Sequence, residues 1–79
     1  MSVSDRVAAS FEKSFGLKAA DFTPDLAPED VPRWDSVGHM TLVTDLESAF
    51  GVHFDVDELT EMSSGGKIIE LLRAKGVGD

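Results

Sequence analysis

A serine placed directly after an aspartate, at the mouth of a predicted helix, could do three kinds of chemistry. In "RWDSVGHMTLVTDLESAF", Arg33 to Phe50, Ser36 could cap the helix, act as a nucleophile or serve as an attachment point. If Asp35 is the N-cap, its carboxylate accepts the free backbone N–H groups of the first turn. The Ser36 hydroxyl is then left over and can point to solvent. A phosphate ester on that oxygen would lie at the positive end of the helix dipole, beside unsatisfied N–H donors. Asp-Ser is also an ordinary way to start a helix, and those two residues alone favour the structural cap.

Catalysis by the serine fits less well. A nucleophilic serine needs a base, itself oriented by a third group. Only His39 and His53 are present as histidine bases, and no G-x-S-x-G elbow surrounds Ser36. His39 lies three residues from both Ser36 and Leu42, close to the core stripe, and reads as a satisfied, partly buried histidine. His53 reads as a solvated loop residue. No catalytic residue is expected. "DVDELTEMSSGG" is not an EF-hand, because Thr60 stands where the turn glycine belongs and Gly66 where the bidentate acid belongs. With no cysteine there is no thiolate metal site and no disulfide framework. No metal site is expected.

The elements that must position Ser36 read as helices, with no two-residue alternation of the kind strands show. The first helix is expected from about Ser4 to Phe15, with Ser4 as cap. Val7, Phe11 and Phe15 form its stripe with Ala8 alongside, and Gly16 stops it. The connector "GLKAADFTPDLAPEDVPRWD" holds all three prolines, which exclude a long helix, and Leu17, Phe22, Leu26 and Trp34 are spaced along it as apolar anchors. So long a loop in a small domain points to function or to a loop pinned on the surface.

The second helix is expected from near Ser36 to Phe50, with Gly51 as its stop. Its core stripe is Leu42, Val43, Leu46 and Phe50. Val37 and Met40 fall on another face, followed by Thr44 and Glu47. This second patch is either partly buried or kept for docking, and the pattern alone favours burial. "DVDELTEM" can make one or two turns capped by Asp55 or Asp57. The last helix is expected from Ser64 to Lys75, with Ile68, Leu71 and Leu72 inward, Ile69 on the flank and Gly76 as its stop. Arg73 and Lys75 sit where the helix dipole favours cations. Gly65 and Gly66 should each cost about 1 kcal/mol relative to alanine and fray its first turn. The expected fold is all-α: a bundle of three longer helices and one short one, with a long loop between the first two.

The chain's 79 residues suit a single domain, and 42% apolar residues allow a packed core. No apolar run approaches the roughly 18 residues of a membrane span. "MSVSDRVAAS" has no basic patch followed by an apolar stretch, so no secretory signal is expected and a cytoplasmic location is. A formal charge of -8 makes nucleic acid and anionic membranes poor partners. The same charge would steer a basic protein patch, or simply keep a small protein soluble.

Taken together, "WDSVGHMTLVTDLESAFGVHF", "VAASFEKSFGL" ahead of it, the anchored loop, the short third helix and "KIIELLRAKG" resemble a stand-alone acyl carrier protein over nearly the whole chain. The resemblance implies 4'-phosphopantetheine attached to Ser36 by a phosphopantetheinyl transferase, with magnesium serving only the transferase reaction. Asp35 matches the aspartate of the family's D-S-L signature, and Val37 stands in for its leucine. Acyl groups would ride as thioesters on the arm's thiol, which accounts for a chain with no cysteine. The resemblance implies a chain that does no catalysis itself and serves partners: a loading ligase or transferase and downstream synthases with basic docking patches. It is expected to be a monomer.

The resemblance further places Val37, Met40, Thr41, Thr44 and Glu47 against partners, and makes Leu46, Leu59 and Met62 candidates for contact with an acyl chain; ordinary core packing also explains the last three. Fatty-acid carriers usually follow the signature with an acid and carry more acids along this helix. Here Gly38, Thr41 and Ser48 stand at three such positions. Asp45, Glu47, Asp57, Glu58 and Glu61 keep the region acidic in a different distribution. Rim charges govern partner choice, so this argues for a different partner set. The pattern is similar to carriers of specialised pathways that transfer polyketide, short-chain acyl or aminoacyl groups. Gly38 either allows close approach beside the arm or is neutral variation at a tolerant surface position. The alternatives are an aminoacyl or peptidyl carrier of a nonribosomal-peptide-type pathway and, in another class, an acidic helical adaptor without a prosthetic group.

Overall fold

Four α-helices and two 3₁₀ turns make up the computed structural model, which describes residues 2–78. The helices are α1 (Val3–Phe15), α2 (Ser36–Phe50), α3 (Val56–Glu61) and α4 (Gly65–Ala74). The turns, Ala19–Asp21 and Pro28–Asp30, lie in the long connection between α1 and α2. No strand occurs among the described residues, and the fold is the expected all-α bundle. Among the described residues no helix is long and apolar enough to cross a membrane.

α1 begins earlier than the Ser4 cap expected from the sequence. The Ser2 hydroxyl accepts the Asp5 N–H at 3.0 Å, and the Asp5 carboxylate accepts the Ser2 N–H at 3.4 Å. This reciprocal pair satisfies two donors at once, which a start at Ser4 would forgo. The earlier start also brings fully buried Val3 into the helix, above the expected stripe of Val7, Phe11 and Phe15.

Phe11 is the centre of the apolar interior. Its ring centroid lies 5.0 Å from that of Phe22, 5.1 Å from that of Trp34 and 5.7 Å from that of Phe15. The contacts with Trp34 and Phe15 are edge-to-face, a favourable aromatic arrangement. Two of these four rings come from the α1–α2 loop, so the loop is part of the core. Leu26 and Trp34 are buried and Leu17 and Phe22 pack partly against them, as expected; Val31 is a further buried anchor. From α2, Leu42, Val43 and Leu46 point inward. Phe50 stays half-buried, with the Arg6 guanidinium 4.2 Å from its ring centroid.

The start of α4 differs from the frayed end expected for Gly65 and Gly66. Both glycines are docked on the loop. The Gly65 N–H donates to the Leu26 carbonyl and the Gly66 N–H to the Pro24 carbonyl, each at 2.9 Å. A Cβ on Gly65 would come within 2.7 Å of the Phe22 ring and 2.8 Å of the Thr23 carbonyl oxygen. Glycine therefore lets the loop backbone close on the helix, and the contact offsets its poor helix propensity.

α3 is held differently. None of its six residues is buried. Asp55 caps it through the Glu58 N–H at 2.9 Å, and Glu58 returns the bond from the Asp55 N–H at 3.0 Å. Lys75, at the end of α4, brings its ammonium within 2.8 Å of both Glu58 carboxylate oxygens. That ammonium, with the Asp55 N–H behind it, holds the Glu58 carboxyl below its usual range. Met62, just past the helix, is the buried anchor at its other end.

Candidate functional site

Asp35 is the N-cap of α2: its carboxylate accepts the Gly38 N–H at 2.8 Å. Ser36 is therefore the first helical residue rather than the cap. It is exposed, and its hydroxyl has no hydrogen-bond partner among the described residues. The oxygen is chemically free and sits where the first-turn N–H groups concentrate positive potential.

The first two turns of α2 present two faces. Inward, a Cβ on Gly38 would overlap the Arg33 carbonyl oxygen and lie 3.0 Å from the Phe15 ring. Position 38 is thus a close helix–loop approach, and the expectation of a tolerant surface position gives way to a steric requirement. Outward, Val37 is 78% exposed and Met40 51%. The sequence pattern favoured burial for this pair. In this turn, however, Gly38 and His39 face the protein, which turns 37 and 40 towards solvent. Thr41, Thr44 and Ser48 continue the exposed stripe, and the threonine hydroxyls bond back to the carbonyls of Val37 and Met40.

On the α3 side, an open groove of about 700 Å³ begins at Asp35 and Ser36. Its apolar wall comes from Trp34, Met40, Leu59 and Met62. On the other side of Ser36 a smaller cleft of about 370 Å³ runs past Val37, Gly38 and Thr41 towards Arg33. The structure thus brings Asp35, Ser36, Met40, Leu59 and Met62 around one groove. Leu46 lies fully inside the core and does not line it. Glu47 is also elsewhere. Its carboxylate accepts the Phe54 N–H at 2.9 Å and lies 3.1 Å from His53 Nδ1, so it fastens the α2–α3 connection.

His39 is half-buried with both ring nitrogens engaged, as its position beside the core stripe suggested. The Trp34 indole N–H donates to His39 Nδ1 at 2.8 Å, and His39 Nε2 lies 3.0 Å from the Leu59 carbonyl oxygen. An indole N–H can only donate, so Nδ1 must be the acceptor. Nε2 then carries the proton and donates to Leu59. The two rings are also stacked, with centroids 6.2 Å apart and planes 13° from parallel. Sequence reasoning missed this bridge. The signal available was a tryptophan in an apolar setting, whose N–H needs a partner, five residues before a histidine.

Set against models of known protein families the chain matches none, and no curated protein sequence matches it.

Proposed function

We propose that this chain is a non-catalytic acyl carrier that takes 4'-phosphopantetheine on the Ser36 hydroxyl. The observation that carries this reading is the division of labour at the start of α2. Asp35 does the capping, which leaves Ser36 exposed and unbonded at the rim of a partly apolar groove. A structural cap alone gives that hydroxyl no task.

The residues present fit the group. The first-turn N–H groups and helix dipole favour a phosphate on Ser36 Oγ. Trp34, Met40, Leu59 and Met62 offer an apolar wall to the arm leading away from it, and Thr60 and Ser63 offer hydroxyls along the same groove. When bound, the arm supplies the thiol this cysteine-free chain lacks and carries acyl groups as thioesters. The chain's own residues tether, orient and shelter. Val37 and Met40, exposed beside the attachment point, suit contact with a transferase, a loading enzyme and downstream synthases. The -8 charge favours partners with basic rims.

Thr41 and Ser48 leave the exposed stripe of α2 without the acids that fatty-acid carriers place there, which supports a specialised pathway, polyketide-like or short-chain acyl. The glycine at 38 carries no weight in that choice, since packing against Arg33 excludes any side chain there.

Incubation with coenzyme A, magnesium and a broad-specificity phosphopantetheinyl transferase should add one phosphopantetheine mass to the chain and none to Ser36→Ala. If the wild-type chain stays unmodified while a control carrier is converted, the carrier reading fails and an acidic helical adaptor takes its place. Loading assays comparing amino acids with malonyl and other acyl groups then separate an acyl carrier from an aminoacyl or peptidyl one.

A further inference from the structure

We propose that His39 is a positioning residue whose neutral imidazole locks Trp34 against α2 and α3, and whose protonation releases the Trp34 wall of the groove beside Ser36. The use of this lock deepens the carrier reading and rests on it; the lock itself is a property of the unmodified chain.

The bonding follows from donor counting. In the neutral ring, Nδ1 accepts from the Trp34 indole and Nε2 donates to the Leu59 carbonyl. One imidazole therefore joins the loop, α2 and α3. Protonation adds a hydrogen at Nδ1 and affects the two bonds differently. Nε2 remains a donor, so the bond to Leu59 survives. At Nδ1 a donor now faces the indole N–H, also a donor, and that bond is lost. Trp34 is only 3% exposed, so its N–H then has to turn or admit water to be satisfied.

The consequence reaches the attachment site. Trp34 forms one wall of the groove, Leu59 and Met62 another, and Trp34 is two residues from Ser36. Releasing the indole widens the groove and loosens the chain leading into the cap. Few charged groups face the His39 ring. Asp35, from α2's cap, is the one charged side chain that lines the groove with it, and its carboxylate is held by the Gly38 N–H. From the loop come Trp34 and Pro28, and from α3 and the residues after it Leu59, Thr60, Met62 and Ser63, all uncharged. Nearby Glu58 is bound to Lys75, and Glu61 lines the opposite, α4-facing side.

The chain's single tryptophan makes the lock directly observable. In two-dimensional ¹H–¹⁵N NMR of the unmodified protein, the one indole N–H signal should lie downfield, as a hydrogen-bonded N–H does, at about pH 8. Followed down to about pH 5, it should move upfield as the His39 ring takes up its proton. Its midpoint should coincide with that of the His39 ring C–H signals, and His53→Gln should leave the curve unchanged. In His39→Asn, the side-chain oxygen can take the place of Nδ1 and does not titrate, so the indole signal should stay downfield at both pH values. An indole signal that does not move while the His39 ring titrates overturns the proposal in the wild-type chain alone. So does a pH step that persists in His39→Asn. Neither result bears on whether Ser36 accepts phosphopantetheine, which the mass measurement decides separately.

Discussion

The α1–loop region and α3 are held in place by opposite means. Around Phe11 the contacts are apolar and aromatic, and the side chains that make them are almost all buried. α3 buries none of its own residues; Leu59 packs only partly against the core and Met62 anchors its end. The remaining ties are polar: the Asp55–Glu58 cap, the Lys75–Glu58 pair, the Glu47 bond to Phe54 just before it, and the His39 bond to Leu59. Apolar burial is insensitive to charge, whereas polar ties respond to protonation and to competing partners. One side of the groove beside Ser36 therefore belongs to the adjustable part of the molecule, while the helix bearing Ser36 is anchored in the rigid part through Leu42, Val43 and Leu46. That combination, a fixed Ser36 next to a wall that can yield, suits the carrier role proposed for this chain.

The largest test of this contrast is Phe11→Ala. Truncating a fully buried ring with three aromatic neighbours should cost about 3–5 kcal/mol of unfolding free energy, read from chemical denaturation. A loss below about 1 kcal/mol would mean that the loop aromatics are not part of the cooperative core. Gly38→Ala should come next, at about 1–3 kcal/mol, because the added Cβ meets a backbone carbonyl with little freedom to retreat. A fully stable Gly38→Ala protein would show that the loop at Arg33 yields and that the two regions are less distinct than drawn here.

Acid should loosen α3. The Glu58 carboxyl is held below its usual range by Lys75 when folded, so its stabilising contribution is complete above the ordinary carboxylate range. It is lost as pH falls through the lower folded value. Backbone signals of α3 should therefore shift as pH falls through that value, and Glu58→Gln should remove the part of that response due to this pair. Simultaneous loss of α1 and α3 signals would show that the polar ties and the apolar core form one cooperative unit.

The two regions also differed in how far their sequence revealed them. Val7, Phe11 and Phe15 on α1 and Leu42, Val43 and Leu46 on α2 declare themselves by spacing, since burial of a helix face imposes the 3.6-residue period. Asp35 as cap and Gly51 as stop are local signals of the same kind. What escaped detection depends on distant backbone. The Leu59 carbonyl that meets His39 lies 20 residues away, and nothing in its own side chain announces it. Gly65 and Gly66 look like a weak helix start until the carbonyls of Leu26 and Pro24 are in place. The exposure of Val37 and Met40 was hidden although its cause is near in sequence, because it follows from Gly38 meeting the carbonyl of Arg33 in the loop before the helix.

The smallest stability effect should come from Ser36→Ala, and its size is what gives it value. Ser36 belongs to neither set of interactions. Its hydroxyl has no partner among the described residues, and the cap is made by Asp35. Asp35→Ala should cost about 1 kcal/mol, the usual penalty for losing an N-cap. Ser36→Ala should stay within about 0.5 kcal/mol of the wild type, as substitutions away from such features do. Thermal unfolding of the two variants side by side separates the cap from the proposed attachment point. A Ser36→Ala variant as destabilised as Asp35→Ala would give the hydroxyl a structural task and remove the reason for assigning it another.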